Sequence, residues 1–275
     1  MQNKSVKKFY CLVSHTHWDR EWYEPFEQFR VRLLELMDNL LELMEEDKDF
    51  IFHLDAQAAV LDDYLEIKPQ NRERLASLIS ERRLMAGPWY IQNDFFLTSG
   101  EATVRNLILG TKRMKDFGAS DDVGYMPDQF GLISQLPQIF KGFGIGSAVF
   151  SRGLAGLPGE AGGIPSKNEF IWESPDGSKV TAIFMSGFYN NAQRLSADPE
   201  KALKFIRDAA SKIADRSGTP YMLLMNGVDH LEAQENLNEI LEKLIKKGLV
   251  SFMVKDKTKY FSPASPNRIL DYIHE

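Results

Sequence analysis

The feature that most constrains this chain is a repeated order: a short hydrophobic run of strand character, a polar loop, then a stretch with apolar residues at helical spacing. FYCLV, within Lys8 to Ser14, is the first run, and it ends where His15, Thr16, His17 and Asp19 begin. From Phe26 to Met44, Phe29, Leu33, Leu36, Met37, Leu40, Leu41 and Met44 recur among Glu and Arg, which predicts an amphipathic helix. FIFHLD (Phe50 to Asp55) reads as a second strand. Two helices follow, Ala58 to Leu65 and Gln70 to Leu84, split by Pro69, and WYIQND is strand-like after Gly87 and Pro88. Glu101 to Phe117 is helical, and Asp122 to Met126 is a strand leading into PDQFG. A helix-like ISQLPQIFKGFG and a strand SAVFSRG come next. FIWESPDGSKVTAIF predicts a hairpin turning at Pro175, Asp176 and Gly177. The pattern closes with a helix Pro199 to Ala214, a core strand Tyr221 to Met225, a helix Leu231 to Lys247 and a strand VSFM.

Strand, polar loop and helix in alternation imply an α/β fold, a parallel sheet with helices outside. The Gly- and Pro-rich stretch Gly153 to Ser166 reads as an exposed loop, not a linker, and no repeat interrupts the 275 residues. One domain over 1–275 is the economical organisation. A net charge of −6 and a pI near 5.5 offer no basic field for phosphates, which argues against nucleic acid and anionic membranes as partners. No stretch approaches the roughly 20 apolar residues that a membrane span needs. FYCLV is too short for a signal-peptide core and no small-residue cleavage site follows it, so a cytoplasmic location is expected. Cys11 is the single cysteine, so any metal would need His and carboxylate ligands.

Three strand ends carry the residues capable of chemistry. His17 and Asp19 stand two apart after the first strand, so in an extended segment their side chains point the same way and can share an ion. A His-x-Asp pair alone also describes a hydrogen-bonded strand end, since two ligands do not make a zinc site. Asp128 follows Tyr125, Met126 and Pro127 and can reach the same sheet mouth, or it can serve as a turn former or cap. Asp229, in MNGVDHLE, is delivered by a hydrophobic strand and is either a third such acid or a helix N-cap. Paired carboxyl groups at strand ends are what a glycosidase requires, one to protonate the leaving group and one opposite it.

Five ordered segments, HTHWDREW, FIFHLDAQAAVLDDYL, GPWYIQNDF, GYMPDQFG with its following helix, and MNGVDH, together resemble glycoside hydrolase family 38. The resemblance runs from about Val6 to Asp229. It implies an irregular (β/α) barrel of about seven parallel strands with outer helices, as in related glycoside hydrolases and deacetylases. It implies that His17, Asp19 and Asp128 are zinc ligands, that Asp128 is also the nucleophile, and that Asp229 is the acid/base. Trp22 and Phe130 match aromatics of the sugar subsite, Arg152 an arginine that steadies the nucleophile, and Tyr189 a substrate-contacting tyrosine. His15 reads as a packing residue or a group behind the ligands, and His53 as a strand residue.

The activity so implied is retaining hydrolysis of terminal α-linked mannose from oligosaccharides or glycosides, with the two carboxyl groups roughly 5 to 5.5 Å apart. Members of the family are longer, with helical and β-rich domains after the barrel. Nothing in this chain matches their last zinc-ligand histidine, because His230 sits beside the acid/base and His274 is penultimate. The chain therefore reads as a truncated catalytic domain whose fourth zinc ligand, and any homo-oligomer contacts, lie in further domains. Mannosylglycerate-type hydrolysis within the family and a non-catalytic carbohydrate-binding fragment are the competing readings. A zinc deacetylase would need a His pair at i, i+4, which the five histidines do not supply.

Overall fold

A computed structural model of the chain describes residues 9–119, 123–154 and 165–247. In chain order the elements are β1 (Phe9–Thr16), α1 (Phe26–Glu46), β2 (Phe52–Leu54), α2 (Ala59–Ile67), α3 (Arg72–Ser80), β3 (Leu84–Met85), α4 (Gly100–Asp116) and β4 (Val123–Met126). There follow α5 (Leu136–Gly142), β5 (Ser147–Phe150), β6 (Glu169–Glu173), β7 (Lys179–Phe184), α6 (Pro199–Ala214), β8 (Tyr221–Asn226) and α7 (Leu237–Lys246).

The strands form two four-stranded sheets, ordered β3-β2-β1-β8 and β4-β5-β7-β6. Every pairing is parallel except the β6–β7 hairpin, whose turn has Gly177 at φ +85°. That turn geometry favours a residue without a side chain. β1 and β8 run in register from Phe9 opposite Tyr221 to Ser14 opposite Asn226. Beyond β3, Trp89 bridges to Gln57 and donates its indole N–H to the Tyr125 carbonyl of β4, 3.0 Å away. Beyond β7, Asn191 and Ala192 bond the backbone of Leu223 and Met225 in β8, and Glu169 of β6 accepts from Gly218 N at 2.7 Å. The two sheets thereby join at both edges into an irregular α/β barrel, and the seven strands other than β6 all make parallel pairings.

The helices form the outer layer. α1 buries Phe29, Leu33, Leu36, Met37, Leu40, Leu41 and Met44, the face its sequence spacing predicts. Each such side chain contributes roughly 1.5–3 kcal/mol on removal from water. One apolar cluster packs α1, α2, α3, α6 and α7 against β1, β2 and β8, and a second sets Leu107 of α4 and Phe140 of α5 against β4, β5 and β7. Ser99 caps α4 by accepting from Ala102 N, and Asp198 caps α6 by accepting from Glu200 N and Lys201 N.

The elements depart from sequence expectation at three places. The predicted helix Gln70 to Leu84 stops at Ser80, because Arg82 takes φ +57° and Leu84 pairs in parallel with Phe52. WYIQND forms no strand beyond the Trp89 bridge, its backbone instead being bonded by Asn106 and Gln57 side chains. The predicted helix Leu231 to Lys247 begins only at Leu237. Buried Gln234 spends its amide on Leu195 N, Leu195 O and Asn226, which pins the preceding loop in a non-helical path. The predicted strand VSFM and most of the loop from Gly153 to Ser166 lie outside the described residues.

Candidate active site

The residues with chemistry sit just past the C-terminal ends of the barrel strands. His17 and Asp19 follow β1, Asp128 and Phe130 follow β4, Arg152 follows β5, Tyr189 follows β7 and Asp229 follows β8. Parallel strands all deliver their loops to one end, which is why positions far apart in sequence meet there.

His17 is the most constrained of them. It forms a parallel bridge with Asp229, its N–H donates to Val228 O at 3.3 Å, and its carbonyl accepts from His230 N at 2.8 Å. Asp229 is thereby held beside the β1 segment that carries His17. The ring lies in a buried pocket, with Nδ1 2.6 Å from Asp55 Oδ2 and Nε2 3.6 Å from Asp19 Oδ1. Burial alone would depress the imidazole pKa, but the Asp55 and Asp19 carboxylates outweigh it and hold it well above its ordinary value. For Asp19, burial pushes upward, and contacts with His17 and His230 win, holding the carboxyl far below the usual range. His230, at φ +53°, lies 3.4 Å from Asp19 Oδ2, and its Nε2 accepts from Asp19 N at 3.1 Å.

The two proposed catalytic carboxyls each have a specific partner. Arg152 Nε donates to Asp128 Oδ1, with its guanidinium 4.9 Å from the ring centres of both Phe130 and Phe188. Asp128 nevertheless has its pKa raised, because burial outweighs Arg152 and His17 and the charge of Asp229 adds to it. Tyr189 is buried and its hydroxyl donates to Asp229 Oδ1 at 2.9 Å. Burial, then the charges of Asp128 and Asp229, push the phenol pKa up, so it remains a donor. Its backbone carbonyl accepts from His15 Nε2 at 2.7 Å, which accounts for the fully buried His15 as a strut behind the site.

Trp22 and Phe130 are 65% and 55% exposed, which places neither in a core. Trp22 stands 6.0 Å from the His230 ring, and Phe130 is fixed by Asp94 Oδ1 on its N–H and by Phe95 N on its carbonyl. Flat aromatic faces at an open sheet end, next to carboxylates, suit stacking against a sugar ring.

Asp55 is not among the residues that the sequence singles out. The pattern was nevertheless present, since FHLD ends a strand in an acid much as GYMPD and MNGVD do. It is fully buried, and its Oδ2 accepts from Trp18 N at 3.1 Å and Gln57 Nε2 at 2.9 Å while lying against His17.

For a divalent metal, the donor chemistry of His17 and Asp19 is suitable: Nδ1 is taken up by a carboxylate, which leaves Nε2 facing Asp19. Among the described residues no three His, Cys, Asp or Glu side chains are grouped closely enough to hold an ion, and Oδ1 of Asp128 is engaged by Arg152. The pair fits as part of a four-coordinate zinc site, not as a whole one. No helix among the described residues is long and apolar enough to cross a membrane.

Residues 8–267 match the family model described as the N-terminal domain of glycosyl hydrolases family 38. The chain is 41% identical over 248 residues to the Halalkalibacterium halodurans protein named "Putative mannosylglycerate hydrolase", a match covering 86% of this chain and 27% of that one. It is 26% identical over 241 residues to Alpha-mannosidase 2C1 of Mus musculus, covering 83% of this chain and 22% of the mouse protein. Among solved structures, an alpha-mannosidase from Enterococcus faecalis V583 superposes with TM-score 0.83 at 36% identity, covering 89% of this chain and 27% of the other. A Mycobacterium smegmatis structure described as a "putative polysaccharide deacetylase" superposes with TM-score 0.55 at 10% identity, over 98% and 92% of the two chains, which is a likeness of fold alone. The chain thus spans about a quarter of the length of the mannosylglycerate hydrolase and mannosidase relatives named here.

Proposed function

The chain belongs to glycosyl hydrolase family 38, and from that premise we propose that it supplies the catalytic barrel of a retaining, zinc-dependent α-mannosidase. The observation that carries the proposal is the pairing of each acid with its own partner at one barrel mouth, Asp128 with Arg152 and Asp229 with Tyr189. In this reading Asp128, steadied by Arg152, attacks the anomeric carbon of a terminal mannose and forms a covalent mannosyl enzyme. Asp229 gives its proton to the leaving oxygen and then deprotonates the incoming water, so configuration is retained. Trp22 and Phe130 flank the ring at the open side.

His17, Asp19 and Asp128 are the residues that would hold zinc, whose chemistry there is to bind adjacent sugar hydroxyls and favour ring distortion toward an oxocarbenium ion. A four-coordinate ion needs one ligand beyond these three. The acidic charge agrees with a neutral glycoside substrate and argues against nucleic acid or an anionic membrane surface as partner; a cytoplasmic setting is proposed from the N-terminal sequence alone. A second reading is mannosylglycerate-type hydrolysis, favoured by the 41% identity to the Halalkalibacterium halodurans protein.

The test is made on the full-length protein: metal content, turnover of an aryl α-mannoside and of mannosylglycerate, and the anomer first released, followed by proton NMR. Retention with bound zinc, and loss of turnover in Asp128→Asn, is the expected result. An inverted product, or unchanged turnover in Asp128→Asn, would overturn the mechanism, and preference for mannosylglycerate selects the second reading.

A further inference from the structure

His17 is reached by one carboxylate that lies behind it, not at the mouth. We propose that Asp55 is a positioning residue, which orients the His17 ring so that Nε2 faces Asp19 and the site opening. The inference deepens the functional reading above and rests on it for its consequence, although its geometry stands independently.

Three observations converge on Asp55. First, the carboxylate is fully buried and its acceptor capacity is gathered on one oxygen: Oδ2 takes Trp18 N at 3.1 Å, Gln57 Nε2 at 2.9 Å and lies 2.6 Å from His17 Nδ1. A buried carboxyl is retained where polar neighbours satisfy it; Trp18 N and Gln57 Nε2 supply the hydrogen bonds and the imidazole is its close neighbour. Oδ1 is buried and has no hydrogen-bond partner among the described residues, so no second contact competes for the orientation of the carboxylate.

Second, the backbone bends to put it there. Asp55 and Ala56 hold φ of +52° and +58°, two consecutive non-glycine residues in the left-handed region straight after β2. Such conformations are disfavoured for residues with a side chain and persist where surrounding contacts over-determine them. Three contacts do so: Gln57 Nε2 also donates to Trp18 O at 2.8 Å, Gln57 Oε1 accepts from Gln92 N at 2.9 Å, and Gln92 Nε2 donates to the Asp55 carbonyl. Asp55 is therefore clamped from the segment after β1, from its own loop and from the segment after β3.

Third, the backbone of His17 is already fixed by Val228 and His230, so the freedom left to this residue is rotation of its ring. The Tyr189 ring, 5.4 Å away and tilted by 51°, borders the ring on another side without offering it a polar partner. Asp55 is the contact that selects Nδ1 as the inward nitrogen. A carboxylate behind an imidazole in this way fixes which ring nitrogen is free and raises its basicity, and loss of such partners weakens metal binding by about 10- to 100-fold.

The experiment compares wild type with Asp55→Ala and Asp55→Asn, reading the His17 ring nitrogens and the Nδ1 proton of the metal-free chain by long-range proton–nitrogen NMR, and then titrating the full-length protein with Zn2+ alone. Asparagine keeps an oxygen for Trp18 N and Gln57 Nε2, so it preserves the fold if alanine does not. The expected result is a slowly exchanging Nδ1 proton in wild type that is lost or shifted in both variants, with Zn2+ affinity reduced about 10- to 100-fold. An unchanged His17 signal in the variants, or an unprotonated Nδ1 in wild type, overturns the inference, as does Zn2+ affinity that ignores a shifted ring. A ring that shifts in the variants, with the wild-type full-length protein taking up no Zn2+, upholds the positioning role and overturns the zinc-dependent reading instead.

Discussion

The hydroxyl of Tyr189 donates a 2.9 Å hydrogen bond to Oδ1 of Asp229, joining the loop after β7 to the loop after β8. Hydrogen bonds to charged groups are worth about 1.5–3 kcal/mol. Tyr189→Phe in the full-length protein is therefore expected to lower kcat/KM for an aryl α-mannoside by about 10- to 100-fold with the fold intact by circular dichroism. A value within twofold of wild type would show that the hydroxyl does not support Asp229 in turnover.

Arg152 meets Asp128 through Nε and lies between two aromatic rings, an arrangement that needs a planar guanidinium. Lysine keeps the charge and loses both the directed donor and the stacking. Arg152→Lys is expected to reduce kcat by more than about tenfold, and Arg152→Ala by about 10² to 10³, the range seen when a preorganised charge-stabilising donor is removed. Equal activity of the lysine variant and wild type would make Arg152 a generic positive charge.

A side chain at Gly227 would overlap the His15 carbonyl, because the turn leading to Asp229 passes directly over β1. Gly227→Ala is expected to destabilise the fold by about 1–3 kcal/mol or more through overpacking. Turnover should also drop in folded protein, since the displaced turn carries Asp229. A thermal midpoint equal to wild type would show that the two segments separate freely.

His53 is fully enclosed in β2 with its ring edge-on to Tyr125 at 4.8 Å, and burial pushes its pKa down to about 3. Its unfolded value is near 6.5. Between those values the unfolded chain binds the proton and the native one does not, so stability falls as pH drops below about 6.5. At pH 5 this group costs about 2 kcal/mol relative to neutral pH. His53→Phe should flatten that part of the denaturation-versus-pH curve, and an unchanged slope between pH 7 and 5 would assign the acid sensitivity elsewhere.

The alternation of strand and helix was legible in the sequence because its cause is local. Hydrophobic runs such as FYCLV, GYM and YMLLM make the parallel strands β1, β4 and β8, and the spacing from Phe29 to Met44 makes a one-faced helix. His17, Asp19, Asp128 and Asp229 stood out for the same reason, each following a hydrophobic run at its polar end. Gln234 and Arg82, by contrast, override local helical spacing through long-range bonds and backbone geometry that no window of sequence contains.

By itself, then, the sequence determined the alternation of strand and helix, the residues at each strand's end and the likeness to one glycosidase family. Only the tertiary structure decided which of those residues touch: Tyr189 on Asp229, Arg152 on Asp128, and Asp55 behind His17. The physical reason is that strand and helix preferences arise within a few residues of chain, whereas a carboxylate finds its partner only after barrel closure brings separate strand ends within hydrogen-bonding distance.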